Sequence, residues 1–200
     1  HYGCHVTTTT ISREQHELAR QRIQEAGLED HITLLFEDYR DLQGQYDKMV
    51  SIEMIEAIGH QYLDTYFRTL SQRLKPGGKF LIQAITIADQ QYKAALKEVD
   101  FIKKFIFPGG FLPSVNAMSA SMTRVSDLRI FHLEDIGLHY ARTLAEWRER
   151  FLDHIEQVRA QGYSDSFIRM WEYYFCYCEG GFREQDIGTV QMLLGKPLKA

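Results

Sequence analysis

Two glutamates three residues apart, Glu53 and Glu56, sit in the run Asp47-Lys-Met-Val-Ser-Ile-Glu-Met-Ile-Glu56-Ala-Ile-Gly-His60. Val50 and Ile52 make its first half apolar enough for a short, buried, central strand, whereas carboxylates are too costly to bury without a cationic or hydrogen-bonding partner. Both glutamates are therefore expected to face a site. In open α/β sheets ligands lie outside the carboxyl ends of the strands, where these residues would fall. The chemistry they point to is that of a carboxylate held against a ligand, accepting hydrogen bonds or a proton. One further polar turn falls at the carboxyl end of another strand, Glu37-Asp38-Tyr39-Arg40-Asp41.

The elements that must position these residues are legible in order. His5 to Ile11 is rich in β-branched residues and reads as a strand. Ser12 with Gln15 three residues on forms a capping box for a helix with Leu18, Ala19 and Ile23 on its apolar side, ending at Gly27. Ile32–Phe36 is a second strand. The glutamate-bearing strand follows, then a helix over 61–74 with Tyr62, Tyr66, Phe67 and Leu70 on one side, the turn Leu74-Lys-Pro-Gly-Gly78, and a strand over 79–85. Residues 88–113 break the pattern and read as an inserted lid that carries Lys93, Lys97, Phe101, Lys103, Lys104 and Phe105 and ends in Phe107-Pro-Gly-Gly-Phe-Leu-Pro113. Ser114 caps a helix to 125, 128–133 is a strand, 139–161 one long helix, 164–182 another, and 187–194 a last strand. Alternating strands and helices predict a doubly wound parallel α/β sheet, with the final strand as an antiparallel edge.

Composition narrows the function. The 200 residues are 44% apolar and suit one domain over 1–200. A net charge of −4 without a long basic run argues against nucleic acid as a partner. No apolar run approaches the ~18 residues needed to span a bilayer. Cys4, Cys176 and Cys178 lack metal-ligand company and read as reduced thiols of a cytoplasmic protein, with no metal site. The chain opens close to a strand, as a start inside a domain would.

Taken together, Thr10-Ile-Ser-x-x-Gln15, Glu37-Asp-Tyr-Arg-Asp41, Ser51-Ile-x-Met-Ile-Glu56-x-Ile-Gly59, Leu74-Lys-Pro-Gly-Gly78, Phe107-Pro-Gly-Gly-Phe-Leu-Pro-Ser114 and Phe182-Arg resemble the cyclopropane-fatty-acid synthase family along nearly the whole chain. The Phe-Pro-Gly-Gly-Phe-Leu-Pro-Ser element is the most specific of these. The resemblance implies a class I, Rossmann-like S-adenosylmethionine-dependent methyltransferase that adds a one-carbon unit to the double bond of an unsaturated phospholipid acyl chain, as a ring or a methyl or methylene branch. It implies that Thr10, Ser12 and Gln15 hold the cofactor's ribose and that Asp38 and Tyr39 hold and cover its adenine. It further implies Glu56 as the catalytic carboxylate orienting a bicarbonate ion, with Tyr140, Gln83 and the backbone of Ile85 around that ion.

Several positions depart from the pattern. Ala57 follows Glu56 where histidine is common, and Gln83 stands where a histidine is expected; an amide donates but carries neither charge nor proton. The family's first strand and Gly-rich loop have no counterpart, since no Gly-x-Gly is present, and the chain is expected to be N-terminally truncated and inactive alone. Two other readings stay open: a small-molecule N-methyltransferase of the same fold, and a non-catalytic membrane-surface or oligomerisation module, for which lysines at headgroups and Phe101 and Phe105 dipping into lipid would be the means. A peripheral membrane surface and a second copy of the chain are the further partners considered.

Overall fold

A computed structural model describes residues 2–198; His1 and residues 199–200, included in the expected 1–200 domain, lie outside the described residues. The chain divides into two compact units, His1–Gln45 and Tyr46–Ala200. The first is a βαβ unit: β1 (Val6–Thr9), α1 (Arg13–Glu25) and β2 (Ile32–Leu35), with β1 and β2 parallel from Val6 opposite Ile32 to Thr9 opposite Leu35. Ser12 caps α1 by accepting from the Gln15 amide at 3.3 Å, and Gly27, at φ +61°, supplies the left-handed residue that stops the helix. Only half of the expected capping box forms, because the Gln15 side chain bonds Thr10 and not the Ser12 amide. Leu18, expected on the apolar side, is exposed.

The second unit is built on a four-stranded sheet of order β3-β4-β6-β5, comprising β3 (Tyr46–Ile52), β4 (Leu74–Ile87), β5 (Arg129–Asp135) and β6 (Ile187–Gly195). Around it lie α2 (Leu63–Arg73), α3 (Asp89–Ala95), α4 (Val115–Val125), α5 (Gly137–Asp153), α6 (Ile155–Ala160) and α7 (Asp165–Arg183). β3 and β4 are parallel; β6 runs antiparallel to both β4 and β5. The antiparallel strand is therefore interior, which corrects the expectation of an antiparallel edge. Val190, Met192 and Leu194 on β6 are all buried, as suits a strand paired on both sides, while β5, Arg-Ile-Phe-His-Leu-Glu-Asp, is exposed throughout and carries the charges that blunt an edge.

The expectation of a buried central β3 also fails. β3 pairs with β4 alone among the described residues, and Val50 and Ile52 are 65% and 52% exposed. The expected long helix over 139–161 breaks at His154, whose backbone leaves helical geometry at ψ 20° and whose ring Nδ1 lies 2.8 Å from the Arg150 carbonyl. β4 begins at Leu74, so the Pro-Gly-Gly segment is an irregular strand start, with Gly77 at φ +76° and its amide bonded to the carbonyls of Lys196 and Pro197.

Strand alternation divides the core. Phe80, Ile82 and Ala84 of β4 are buried on one face, where Phe80 meets Tyr66 of α2. The intervening Gln83 and Ile85 point to the other face, where Ile85 packs on a cluster of Ala141, Leu144, Phe175 and Phe182 from α5 and α7. That second face carries the candidate site. Leu144 is fully buried in the cluster, so Leu144→Ala should lower stability by about 3 kcal/mol, whereas Val50→Ala should change it by less than about 0.5 kcal/mol. Urea denaturation monitored by circular dichroism checks the contrast; equal midpoints for the two variants would contradict it.

Candidate active site

The site begins where β3 ends. The Glu53 amide still donates to the Gln83 carbonyl at 2.8 Å, but its backbone turns to φ +50°, a region that side-chain-bearing residues rarely enter. This turn sends the carboxylate across the sheet face. Glu53 Oε1 accepts from Gln83 Nε2 at 2.8 Å and Oε2 accepts from the Tyr140 hydroxyl at 2.9 Å. Gln83 is itself oriented by its partner across β4 and β6, since Gln191 Nε2 donates to Gln83 Oε1 at 2.9 Å. Tyr140 is fixed by its ring, which stacks on Phe182 with centroids 4.9 Å apart and meets Trp147 edge-on. Burial first, then the charge of Glu53 and the bond to it, pushes the Tyr140 phenol well above its ordinary range, so it acts as a donor.

Glu56 lies in a 3₁₀ turn, Ile55–Ala57, anchored by the fully buried Ile55. Its Oε1 accepts from the Ile85 amide at 2.6 Å, while Oε2 is buried with no partner. Burial is the main cause that pushes the Glu56 carboxyl up to about 7; backbone amides oppose it and the Glu53 charge adds to it. Among the described residues neither glutamate has a lysine or arginine within ion-pair distance. The pair is stabilised by neutral donors only.

The lid motif locks this turn. Phe107-Pro-Gly-Gly110 closes with the Gly110 amide on the Phe107 carbonyl at 3.0 Å, and Gly109 at φ +83° provides the left-handed third residue such a turn needs. The buried Phe111 then donates its amide to the Glu56 carbonyl at 3.0 Å, and Pro113 accepts from the Ile87 amide. The segment expected to cover a pocket pins the backbone of Glu56. Elsewhere in it, Phe101 packs edge-on against Tyr173 at 4.7 Å, and Lys103 Nζ bonds the carbonyls of Ala95 and Glu98. Phe101 and Lys103 are therefore internal supports, not groups free to meet lipid; Phe105 and Phe107 remain more than half exposed.

In the first unit, Thr10 bridges the end of β1 to the start of α1. Its hydroxyl donates to Gln15 Oε1 at 2.8 Å and accepts from the Ser12 amide at 3.1 Å. Asp38 accepts from the Arg40 amide and, through both oxygens, from its guanidinium at 2.8 Å, and that side-chain bond holds its carboxyl below the usual range. Asp38 can therefore accept from an adenine amine only by sharing with Arg40. Tyr39 stands beside it in sequence.

Of the expected residues, Gln83 and Tyr140 converge on Glu53, and the Ile85 amide bonds Glu56; Glu53 was expected to face the site, but with no role assigned to it. Gln191 was missed as well; the signal available for it was a second glutamine in an otherwise apolar terminal strand. A cavity of about 620 Å³, lined by Thr86, Ile87, Leu138, Phe182 and Gly188 among others, does not reach the carboxylates, although Phe182 belongs to both. Among the described residues no helix is long and apolar enough to cross a membrane and no cluster of three or more acidic, histidine or cysteine side chains could hold a metal.

Comparison with known proteins supplies the context. The family model "mycolic acid cyclopropane synthetase" matches residues 1–192. The tuberculostearic acid methyltransferase of Mycobacterium tuberculosis is 42% identical over 192 residues, covering 96% of this chain and 45% of that protein. The cyclopropane-fatty-acyl-phospholipid synthase of Escherichia coli is 38% identical over 195 residues, covering 98% of this chain and 48% of that protein. The chain thus spans about half the length of these relatives. Among solved structures, the cyclopropane synthase MmaA2 from Mycobacterium tuberculosis superposes with a TM-score of 0.86 at 24% identity, over 96% of this chain and 70% of that one, a likeness of fold.

Glu56 makes stability depend on pH in a defined direction. An unfolded chain loses this proton near 4.5 and the folded one near 7, so the stabilisation is complete below 4.5 and is lost as pH rises to 7. The shift corresponds to on the order of 3 kcal/mol. Urea midpoints of wild type should fall relative to those of Glu56→Gln between these limits; parallel pH profiles would contradict the burial of an uncompensated carboxyl.

Proposed function

Since this chain belongs to the mycolic acid cyclopropane synthetase family, we propose that its protein transfers a methyl group from S-adenosylmethionine to the double bond of an unsaturated phospholipid acyl chain, leaving a ring or a methyl or methylene branch. The observation that carries this reading is the pair of glutamates fixed by uncharged donors, with no lysine or arginine paired to either among the described residues. Bound S-adenosylmethionine supplies an electrophilic sulfonium methyl, and an alkene that takes it becomes a carbocation.

The residues of this chain serve that chemistry in three ways. Thr10, Ser12 and Gln15 offer hydroxyls and an amide suited to ribose, and Asp38 with Tyr39 offers a carboxylate and an aromatic face suited to adenine. Glu53 and Glu56 place negative charge and proton acceptors on a face otherwise walled by Phe182, Ile85 and Tyr140, where positive charge on a substrate is favoured. Tyr140 adds the electron-rich face of its ring. A bicarbonate ion does not fit this arrangement: Gln83 Nε2 and the Tyr140 hydroxyl already donate to Glu53, and the Ile85 amide to Glu56.

The acyl substrate is favoured over a small amine by the names of the relatives, a fatty-acid-type methyltransferase and a phospholipid synthase. Lys93, Lys97 and Lys104, with the exposed Phe105 and Phe107, form the part of the lid suited to an anionic bilayer.

Methyl transfer from labelled S-adenosylmethionine to vesicles of unsaturated phospholipid, with saturated phospholipid and small amines as controls, tests the reading in the full-length protein. Label should enter only the unsaturated lipid; label in amines alone would refute it. Glu56→Gln should lower kcat by at least about 100-fold while S-adenosylmethionine affinity stays within about twofold. Undiminished turnover would remove Glu56 from the mechanism.

A further inference from the structure

We propose that Glu53 is the resident anion of this site, standing in place of an exchangeable bicarbonate, and that it accepts the proton released after methyl transfer. This deepens the methyl-transfer reading and rests on it.

Three observations lead here. Gln83 and Tyr140, the side chains expected to grip a free oxyanion, both converge on one carboxylate of the chain itself, at 2.8 and 2.9 Å, one on each oxygen. A carboxylate has the same planar pair of oxygens and the same charge as the end of a bicarbonate ion, so the donors that would grip one are here engaged by the other. Next, the hydrogen-bond sense is set from outside the pair. Gln191 donates to Gln83 Oε1, which leaves Gln83 Nε2, a donor with no acceptor capacity, aimed at Glu53. A glutamine held in this sense matches a permanent acceptor and cannot itself carry a proton away. Last, Glu53 keeps a backbone φ of +50°. Such a conformation is unfavourable for a glutamate and costs a glycine nothing, and strain of this kind persists where the surroundings impose it and a role repays it. Here it aims the carboxylate across the sheet face at Tyr140.

The step balances without a further reactant. Once the alkene's π electrons have formed the bond to the methyl, a neighbouring C–H bond breaks. Its electron pair closes the ring or forms a new double bond, and the proton passes to a Glu53 oxygen. Nothing is oxidised or reduced in that step. Glu56, one turn on, keeps an orphaned buried oxygen beside it.

The test uses the full-length protein with two readouts. In the first, ¹³C-bicarbonate binding is followed by saturation-transfer NMR with wild type, Glu53→Gly and Glu53→Gln. Wild type should show no bicarbonate at the site, and Glu53→Gly, which relieves the backbone strain and empties the donors, should bind it. Binding to wild type, or binding to neither wild type nor Glu53→Gly, would overturn the proposal, whatever the enzyme's activity. In the second, turnover on unsaturated phospholipid vesicles is compared in CO2-free buffer and with added bicarbonate. Wild type should change by less than about twofold, Glu53→Gln should lose at least about 100-fold in both, and Glu53→Gly should regain at least about tenfold on addition. A wild type that stops working without bicarbonate contradicts the proposal. A wild type that methylates no lipid in either buffer refutes the function above while the binding readout still decides the place of Glu53.

Discussion

Two half-buried carboxylates, with no lysine or arginine paired to either among the described residues, are the constraint around which the second unit is arranged. Each demands donors that a sheet interior does not ordinarily provide. The chain supplies them from two elements, a glutamine side chain and a backbone amide of β4 and a tyrosine of α5, while a second glutamine, on β6, orients the first. The aromatic packing of α5 on α7 matters because it holds Tyr140 by stacking on Phe182. The lid matters because its turn carries Phe111 to the Glu56 carbonyl. Stability and site are thus built from the same contacts.

The arrangement separates the two glutamates by environment. Glu53 has a donor on each oxygen, whereas Glu56 has one amide and one bare, buried oxygen. Burial pushes the Glu56 carboxyl up to about 7. Two carboxylates held in different environments can take different parts in one site.

Much of this was legible before any coordinates. Ser12 and Ser114 each cap the helix they announce, because a cap is a local contact between neighbours in sequence. The resemblance singled out Glu56, Gln83, Ile85 and Tyr140 around an ion; in the structure Gln83 and Tyr140 bond Glu53, and the Ile85 amide bonds Glu56. What was not legible depends on contacts remote in sequence or on a backbone turn. The interior place of β6 follows from pairing with β4 on one side and β5 on the other, and its own composition does not distinguish that from an edge. The role of Glu53 depends on a left-handed backbone that glutamate seldom adopts, and on a tyrosine 87 residues away. The engagement of Asp38 by Arg40 is local, but nothing in Asp-Tyr-Arg selects it over a solvated turn.

The most direct measurement is a crystal structure of the full-length protein grown with S-adenosylhomocysteine and bicarbonate. The account predicts Glu53 oxygens within hydrogen-bonding distance of Gln83 Nε2 and the Tyr140 hydroxyl, facing the cofactor's sulfur, with no separate planar ion beside them. A carbonate-shaped density on Gln83 and Tyr140, with the Glu53 side chain turned out to solvent, would contradict it.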